Sequence, residues 1–161
     1  MPELLIVCGL MGCGKTTLSR SMAKSMGYGY IDFDREYHYK IQNEKSINIL
    51  IKEQKDEMLA MLAKKLNKNP EKCYILDGFF KWHPDWWKDA EYDSSLDILQ
   101  KMLNHHEITI LYIFVPFSMT HNRYIWKHRK DFKPKYDYKN TMMERQKALI
   151  RRIVGSKWAT Q

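Results

Sequence analysis

A chain of 161 residues, 44% hydrophobic and 29% charged, can bury a core of its own but is too short for two ordinary domains. Its longest apolar run, Ile108 to Val115, falls far below the roughly 20 residues that span a bilayer, and no leader pattern opens the chain, so a cytoplasmic protein with no membrane partner is expected. The net charge of +8 is uneven: residues 121–161 hold 12 Lys/Arg against 3 Asp/Glu, while residues 1–120 hold 15 against 16.

Leu4 to Gly9 is an apolar run closed by glycine, as in a buried parallel strand. A helix is predicted from Lys15 to about Met26, and a second strand from Tyr28 to Phe33 after the glycines at 27 and 29. Ile47, Leu50, Ile51, Met58, Met61, Leu62 and Leu66 recur at helical spacing. Cys73 to Leu76 reads as a third strand ending at Asp77-Gly78. Ser94 with Asp97 has the form of a capping box, predicting a helix from there to about Asn104. Ile108 to Val115 is the strongest strand, closed by Pro116, and His105-His106 marks the helix end before it. Thr141 with Glu144 predicts a last helix to about Val154. Such alternation implies a parallel sheet covered on both faces, with a ligand beyond the strands' carboxyl ends. No repeat, low-complexity tract or linker divides the chain, so residues 1–161 are expected to form one domain.

The segment Gly9-Leu10-Met11-Gly12-Cys13-Gly14-Lys15-Thr16 satisfies G-x-x-x-x-G-K-[ST] between a strand and a helix. Glycines let backbone N–H groups wrap phosphate oxygens, and the helix N-terminus adds partial positive charge. In this pattern Lys15 serves the β- and γ-phosphates and the Thr16 hydroxyl serves Mg²⁺. Gly9, Gly12, Cys13, Gly14, Lys15, Thr16 and Thr17 are therefore the nucleotide-binding candidates, with ATP and Mg²⁺ as cofactors. Cys13 is read as a small residue tolerated in the loop. The three cysteines, Cys8, Cys13 and Cys73, have neither metal-ligand nor redox spacing.

With this loop, the chain resembles the small P-loop kinases, which include nucleotide, shikimate, gluconate and polynucleotide kinases. The resemblance runs from about Leu4 to Ile153. It implies an α/β P-loop NTPase fold, a three-layer sandwich with a central parallel sheet, and a basic lid over about residues 118–138.

Three further segments are read with that family beside them. In Ile31-Asp32-Phe33-Asp34-Arg35 two carboxylates spaced i, i+2 would share one face of an extended chain. One can hold Mg²⁺ through water while the other takes an acceptor's proton. The pair looks like the D-x-D of shikimate kinases, and Asp34 falls about where polynucleotide kinases place their general base. Asp34 is the catalytic choice, with Asp32 and Arg35 assigned to the acceptor; the bland alternative is a helix cap. Ile75-Leu76-Asp77 has Walker B form, placing Asp77 with Thr16 as a metal residue. Leu-Asp-Gly-Phe resembles the adenylate kinase segment L-D-G-F-P-R, whose arginine meets the acceptor phosphate. Here Phe80 and Lys81 replace proline and arginine, so Lys81 keeps the charge without the bidentate fork.

Arg123 to Lys135 holds Arg123, Lys127, Arg129, Lys130, Lys133 and Lys135 against Asp131 alone. The resemblance makes it a lid in which Arg123 and Arg129 neutralise transition-state charge. Trp82, His83, Pro84, Asp85, Trp86 and Trp87 would either stack on a base or fill a small core.

No glycine triplet follows the third strand, against a shikimate acceptor, and Asn67-Lys68-Asn69-Pro70 lacks the aspartate of N-K-x-D. The Asp77-Gly78-Phe79 run and the stacking candidates favour a nucleotide-type acceptor, and the positive excess of residues 121–161, more than a few lid arginines need, points to a hydroxyl on DNA, RNA or a modified nucleoside. A nucleoside monophosphate kinase, a small-metabolite kinase and a non-catalytic ATP-binding module are the alternatives. No signal for an oligomeric state is legible.

Overall fold

The computed structural model describes residues 1–9, 13–45, 52–79, 91–113, 115, 116 and 119. Four parallel strands form its sheet in the order β2-β3-β1-β4, where β1 is Glu3–Gly9, β2 Gly29–Asp32, β3 Tyr74–Asp77 and β4 Glu107–Ile113. The helices are α1 (Lys15–Met26), α2 (Tyr39–Lys45, entered through a wide π-type turn over Asp34–His38), α3 (Lys52–Asn67) and α4 (Glu91–Met102).

Alternate side chains of a strand point to opposite faces, and the core divides accordingly. Leu4, Ile6, Ile31, Tyr74, Leu76 and Ile108 pack with Met58, Leu62 and Leu66 of α3 and Leu96 and Leu99 of α4. Leu5, Val7 and Ile75 pack on the other face with Met22 and Ala23 of α1. The result is three layers, as expected of strands that are apolar on both sides.

This arrangement also locates a crevice. The chain leaves β1 through α1 on one face and leaves β3 through α4 on the other, and β1 and β3 are neighbours. Where consecutive connections diverge to opposite faces, the carboxyl ends of the strands are left uncovered. The register sets Val7 and Asp32 on either side of Asp77, so these residues stand level at that edge.

Several sequence expectations change in detail. The second strand stops at Asp32, not Phe33, because the chain turns helical at Phe33. That helical stretch and α2 were not predicted, although Phe33, Tyr37 and Ile41 form an i, i+4, i+8 apolar stripe and are all buried. Ser94 is not a cap: residues Glu91–Asp93 before it are already helical, and an S-x-x-D pattern caps only where the preceding backbone is not. Within the helix predicted from Ile47, the described part begins at Lys52. The helix predicted from Thr141, the aromatic segment 82–87 and, apart from Met119, the lid region lie outside the described residues.

Asn67 joins the last turn of α3 to the end of α4. Its Nδ2 donates to Met102 O at 2.9 Å, and its Oδ1 accepts from Asn104 N–H at 3.0 Å. The carbonyl at a helix end has no partner within the helix, so this side chain satisfies a group that would otherwise be orphaned. Nearby, His106 is buried while His105 is exposed. Its Nε2–H donates to Lys72 O at 2.7 Å. Asn67→Ala is expected to lower stability by about 1–3 kcal/mol, because a donor and an acceptor both lose their partner. Urea unfolding followed by circular dichroism would check this, with the exposed Lys68→Ala as a near-neutral comparison.

Candidate active site

The site is built on the end of β3. Asp77 is 3% exposed, and its Oδ2 accepts from the Thr16 hydroxyl at 2.8 Å and from the Tyr30 hydroxyl at 3.1 Å. Thr16 lies in the first turn of α1, so the bond ties that helix start to the tip of a strand 61 residues later. Asp77 Oδ1 is buried with no hydrogen-bond partner among the described residues.

Gly14 precedes α1 with φ 88°, a conformation that glycine enters without the penalty a side chain brings. Residues 10–12 lie outside the described residues, so the position of Gly12 is not part of this geometry. Cys13 is buried, with its Sγ 2.7 Å from where a Cβ on Gly9 would stand, so the chain at Cys13 returns against the strand end. Burial pushes the Cys8 thiol up to about 12 and raises that of Cys13, against the pull of Lys15 on both. Such thiols stay protonated at neutral pH and are poor ligands and nucleophiles. Lys15 is half-buried, and Thr16 and Thr17 are exposed.

The two carboxylates after β2 are brought to different tasks. Asp32 Oδ1 accepts from Arg35 N–H at 3.1 Å, capping the helical turn that starts at Phe33. They do not share one extended face, since Asp34 already belongs to that turn. Asp34 is turned toward the end of β3: its Oδ2 is 3.1 Å from where a Cβ on Gly78 would be, and Gly78 has φ 79°. The two turns are fastened by Phe33 against Phe79, with ring centroids 5.2 Å apart and edge-to-face. Arg35 is exposed. Lys81, Arg123 and Arg129 lie outside the described residues.

Two residues of the neighbourhood escaped the sequence reading. Tyr30 reaches Asp77 across the sheet, and Arg20 of α1 lies over the Tyr30 ring at 5.5 Å from its centroid. Burial, followed by the charge of Asp77, raises the Tyr30 phenol to about 12, so it remains a donor throughout the neutral range. The available signals were local: Tyr30 shares strand parity with Asp32, and Arg20 stands four residues after Thr16 on one helix face.

Together these elements offer a helix start for phosphate oxygens, and two oxygen-bearing side chains suited to a hard cation. Among the described residues no group of three or more His, Cys, Asp or Glu gathers.

A family profile described as an AAA domain matches residues 5–99, more than half of the chain. Among solved structures, the chain superposes on one from the Pnkp1/Rnl/Hen1 RNA repair complex with a TM-score of 0.61 at 16% identity, covering 98% of this chain and 47% of that one. It therefore spans about half the length of that neighbour. A gluconokinase from Sinorhizobium meliloti 1021 gives a TM-score of 0.53 at 15% identity, covering 91% of this chain and 74% of that one. A sugar kinase from Janibacter sp. HTCC2649 gives 0.52 at 15% identity, covering 100% of both chains. No curated protein sequence matches the chain. At these identities the likeness to the solved structures is one of fold. By its profile match the chain belongs to the AAA domain family, and its fold is that of the small P-loop kinases.

Proposed function

We propose that the protein is an ATP-dependent phosphotransferase that moves the γ-phosphate of ATP to a hydroxyl of a nucleotide-type acceptor, with a polynucleotide or modified nucleoside preferred. The observation that carries this reading is the placement of Asp34 against Gly78, one residue beyond the Thr16–Asp77 pair. In this reading the carboxylate assigned to the acceptor and the two oxygens assigned to a cation are neighbours at the end of β3. A non-catalytic nucleotide-binding module needs the pair but has no use for the second carboxylate.

In this reading Lys15, the backbone of Gly9 to Gly14 and the start of α1 receive the phosphates, with Thr17 alongside. Thr16 and Asp77 hold Mg²⁺, which when bound offsets phosphate charge. Asp34 orients the acceptor hydroxyl and takes its proton as that oxygen attacks in line. Arg35 and Lys81 are assigned to the acceptor's own charge, with Asp32 holding the turn that presents Asp34. Arg123 and Arg129 stabilise the charge that spreads over the transferring group.

The preference for a polynucleotide rests on charge. Twelve Lys/Arg against three Asp/Glu in residues 121–161 is more than a single transferred phosphate calls for. Binding along a phosphate backbone uses such an excess and becomes steeply salt-dependent.

Transfer of labelled γ-phosphate to a panel of 5′-hydroxyl DNA and RNA, nucleosides, nucleoside monophosphates and small polyols is the direct test. Label is expected on the polynucleotides, falling steeply between 50 and 200 mM salt as counterion release requires, roughly 10³-fold for six or more contacts. Label on a small polyol alone would overturn the acceptor assignment, and no transfer with ATP still bound would favour the binding module. Asp34→Asn should keep ATP affinity and reduce transfer by about 10²–10⁴-fold. Lys15→Ala should reduce it by about 10²-fold or more and weaken ATP binding as well. Gly78→Ala forces a side chain into a left-handed conformation, at a cost of about 1–2 kcal/mol, and into the space of the Asp34 carboxylate. Its transfer rate should fall by a larger factor than its ATP affinity, read from kcat against the nucleotide Kd.

A further inference from the structure

Asp77 receives more support than a metal-bearing carboxylate needs from its own loop. Thr16 supplies one donor to Oδ2 at 2.8 Å, and Tyr30, from a different strand, supplies a second to the same oxygen at 3.1 Å. An ionised carboxylate has about four acceptor positions, two on each oxygen. With both donors on Oδ2, that oxygen is filled, while Oδ1 is buried with no hydrogen-bond partner among the described residues. The division is unequal in a way that fixes the carboxylate's rotation and leaves one oxygen in reserve.

The register explains why the second donor is a tyrosine. Tyr30 pairs with Ile75, and Asp77 lies two residues further along the neighbouring strand on the same face. That offset is about 6.7 Å of strand rise. Serine or threonine could donate but would not reach; phenylalanine would reach but could not donate. Arg20 holds the ring from above at 5.5 Å, and it belongs to the helix that provides Thr16. The phenol is thus pinned between β2 and α1 with its hydroxyl on Asp77.

We infer that Tyr30 is a positioning residue for the cation site: by sharing Asp77 Oδ2 with Thr16, it fixes the rotation of the carboxylate that would serve Mg²⁺ or its water when Mg²⁺–nucleotide binds. This rests on the nucleotide-site reading above and extends it to a residue outside the glycine loop and the strand-end motif. Second-layer hydrogen bonds to metal-bearing carboxylates commonly change metal affinity by 10–100-fold when removed. No chemical step passes through Tyr30, and it is not among the residues assigned to the phosphates.

The experiment is calorimetric titration of ADP into the full-length protein, with and without Mg²⁺, for the wild type, Tyr30→Phe, Asp77→Asn and the double variant. In the wild type Mg²⁺ should tighten ADP binding. In Tyr30→Phe the metal-free affinity should stay within about twofold, while the gain from Mg²⁺ shrinks about tenfold. In the Asp77→Asn background, Tyr30→Phe should add nothing further, because the two residues act through one contact. A full Mg²⁺ gain in Tyr30→Phe would overturn the inference while leaving the nucleotide site intact. So would equal losses with and without metal, which signify general support of the fold. Additive losses in the double variant would also overturn it. A wild type whose ADP affinity ignores Mg²⁺ would overturn the nucleotide-site reading and this inference with it.

Discussion

One carboxylate organises the end of the sheet. Asp77 closes a strand, bonds the first turn of α1 through Thr16, and receives Tyr30 from the strand beside it. A carboxylate at 3% exposure without partners would be strongly disfavoured. The two hydroxyl donors offset part of that cost, and in doing so they join α1 and β2 to a strand tip 61 and 47 residues further along the chain. The geometry of the crevice follows from this, because the glycine loop must cross the gap between Gly9 of β1 and the helix that Asp77 holds.

The layers explain how such a polar centre is tolerated. Both faces of the sheet are sealed by apolar packing, with α3 and α4 on one side and α1 on the other. The candidate site's polar groups gather at the carboxyl edge, where the connections diverge. Asp32, Asp34, Asp77 and Thr16 all lie at that edge, but their roles differ with the backbone that carries each. Asp32 Oδ1 accepts from Arg35 N–H. Asp34, two residues later, is the carboxylate that faces β3.

The parts of this arrangement legible in the sequence are those with a local signature. The glycine loop, its flanking strand and helix, and the apolar strand ending in aspartate each announce themselves within ten residues, and α1 runs over the predicted Lys15–Met26. What was missed depends on contacts between elements. The pairing of Tyr30 with Asp77 needs the β2–β3 register, which no single segment contains. The helical turn after Asp32 was hidden because an aspartate pair at i, i+2 was read as extended chain, although the stripe of Phe33, Tyr37 and Ile41 argued for helix. Ser94 misled for the opposite reason: its local pattern was sound, but the helix had already begun at Glu91. The charge of residues 121–161 is plain from composition, yet composition carries no shape.

The packing of Asp34 over Gly78 has a mechanical consequence. At most a few ångströms separate the carboxylate of one turn from the backbone that carries Asp77, and no side chain stands between them. Glycine acts there as a spacer of zero thickness, so a displacement of the strand tip reaches Asp34 undamped. The edge-to-face contact of Phe33 and Phe79 works as a hinge pin on the same two turns. The two carboxylates are therefore carried by turns in direct contact, so a displacement of either turn has to be accommodated by the other.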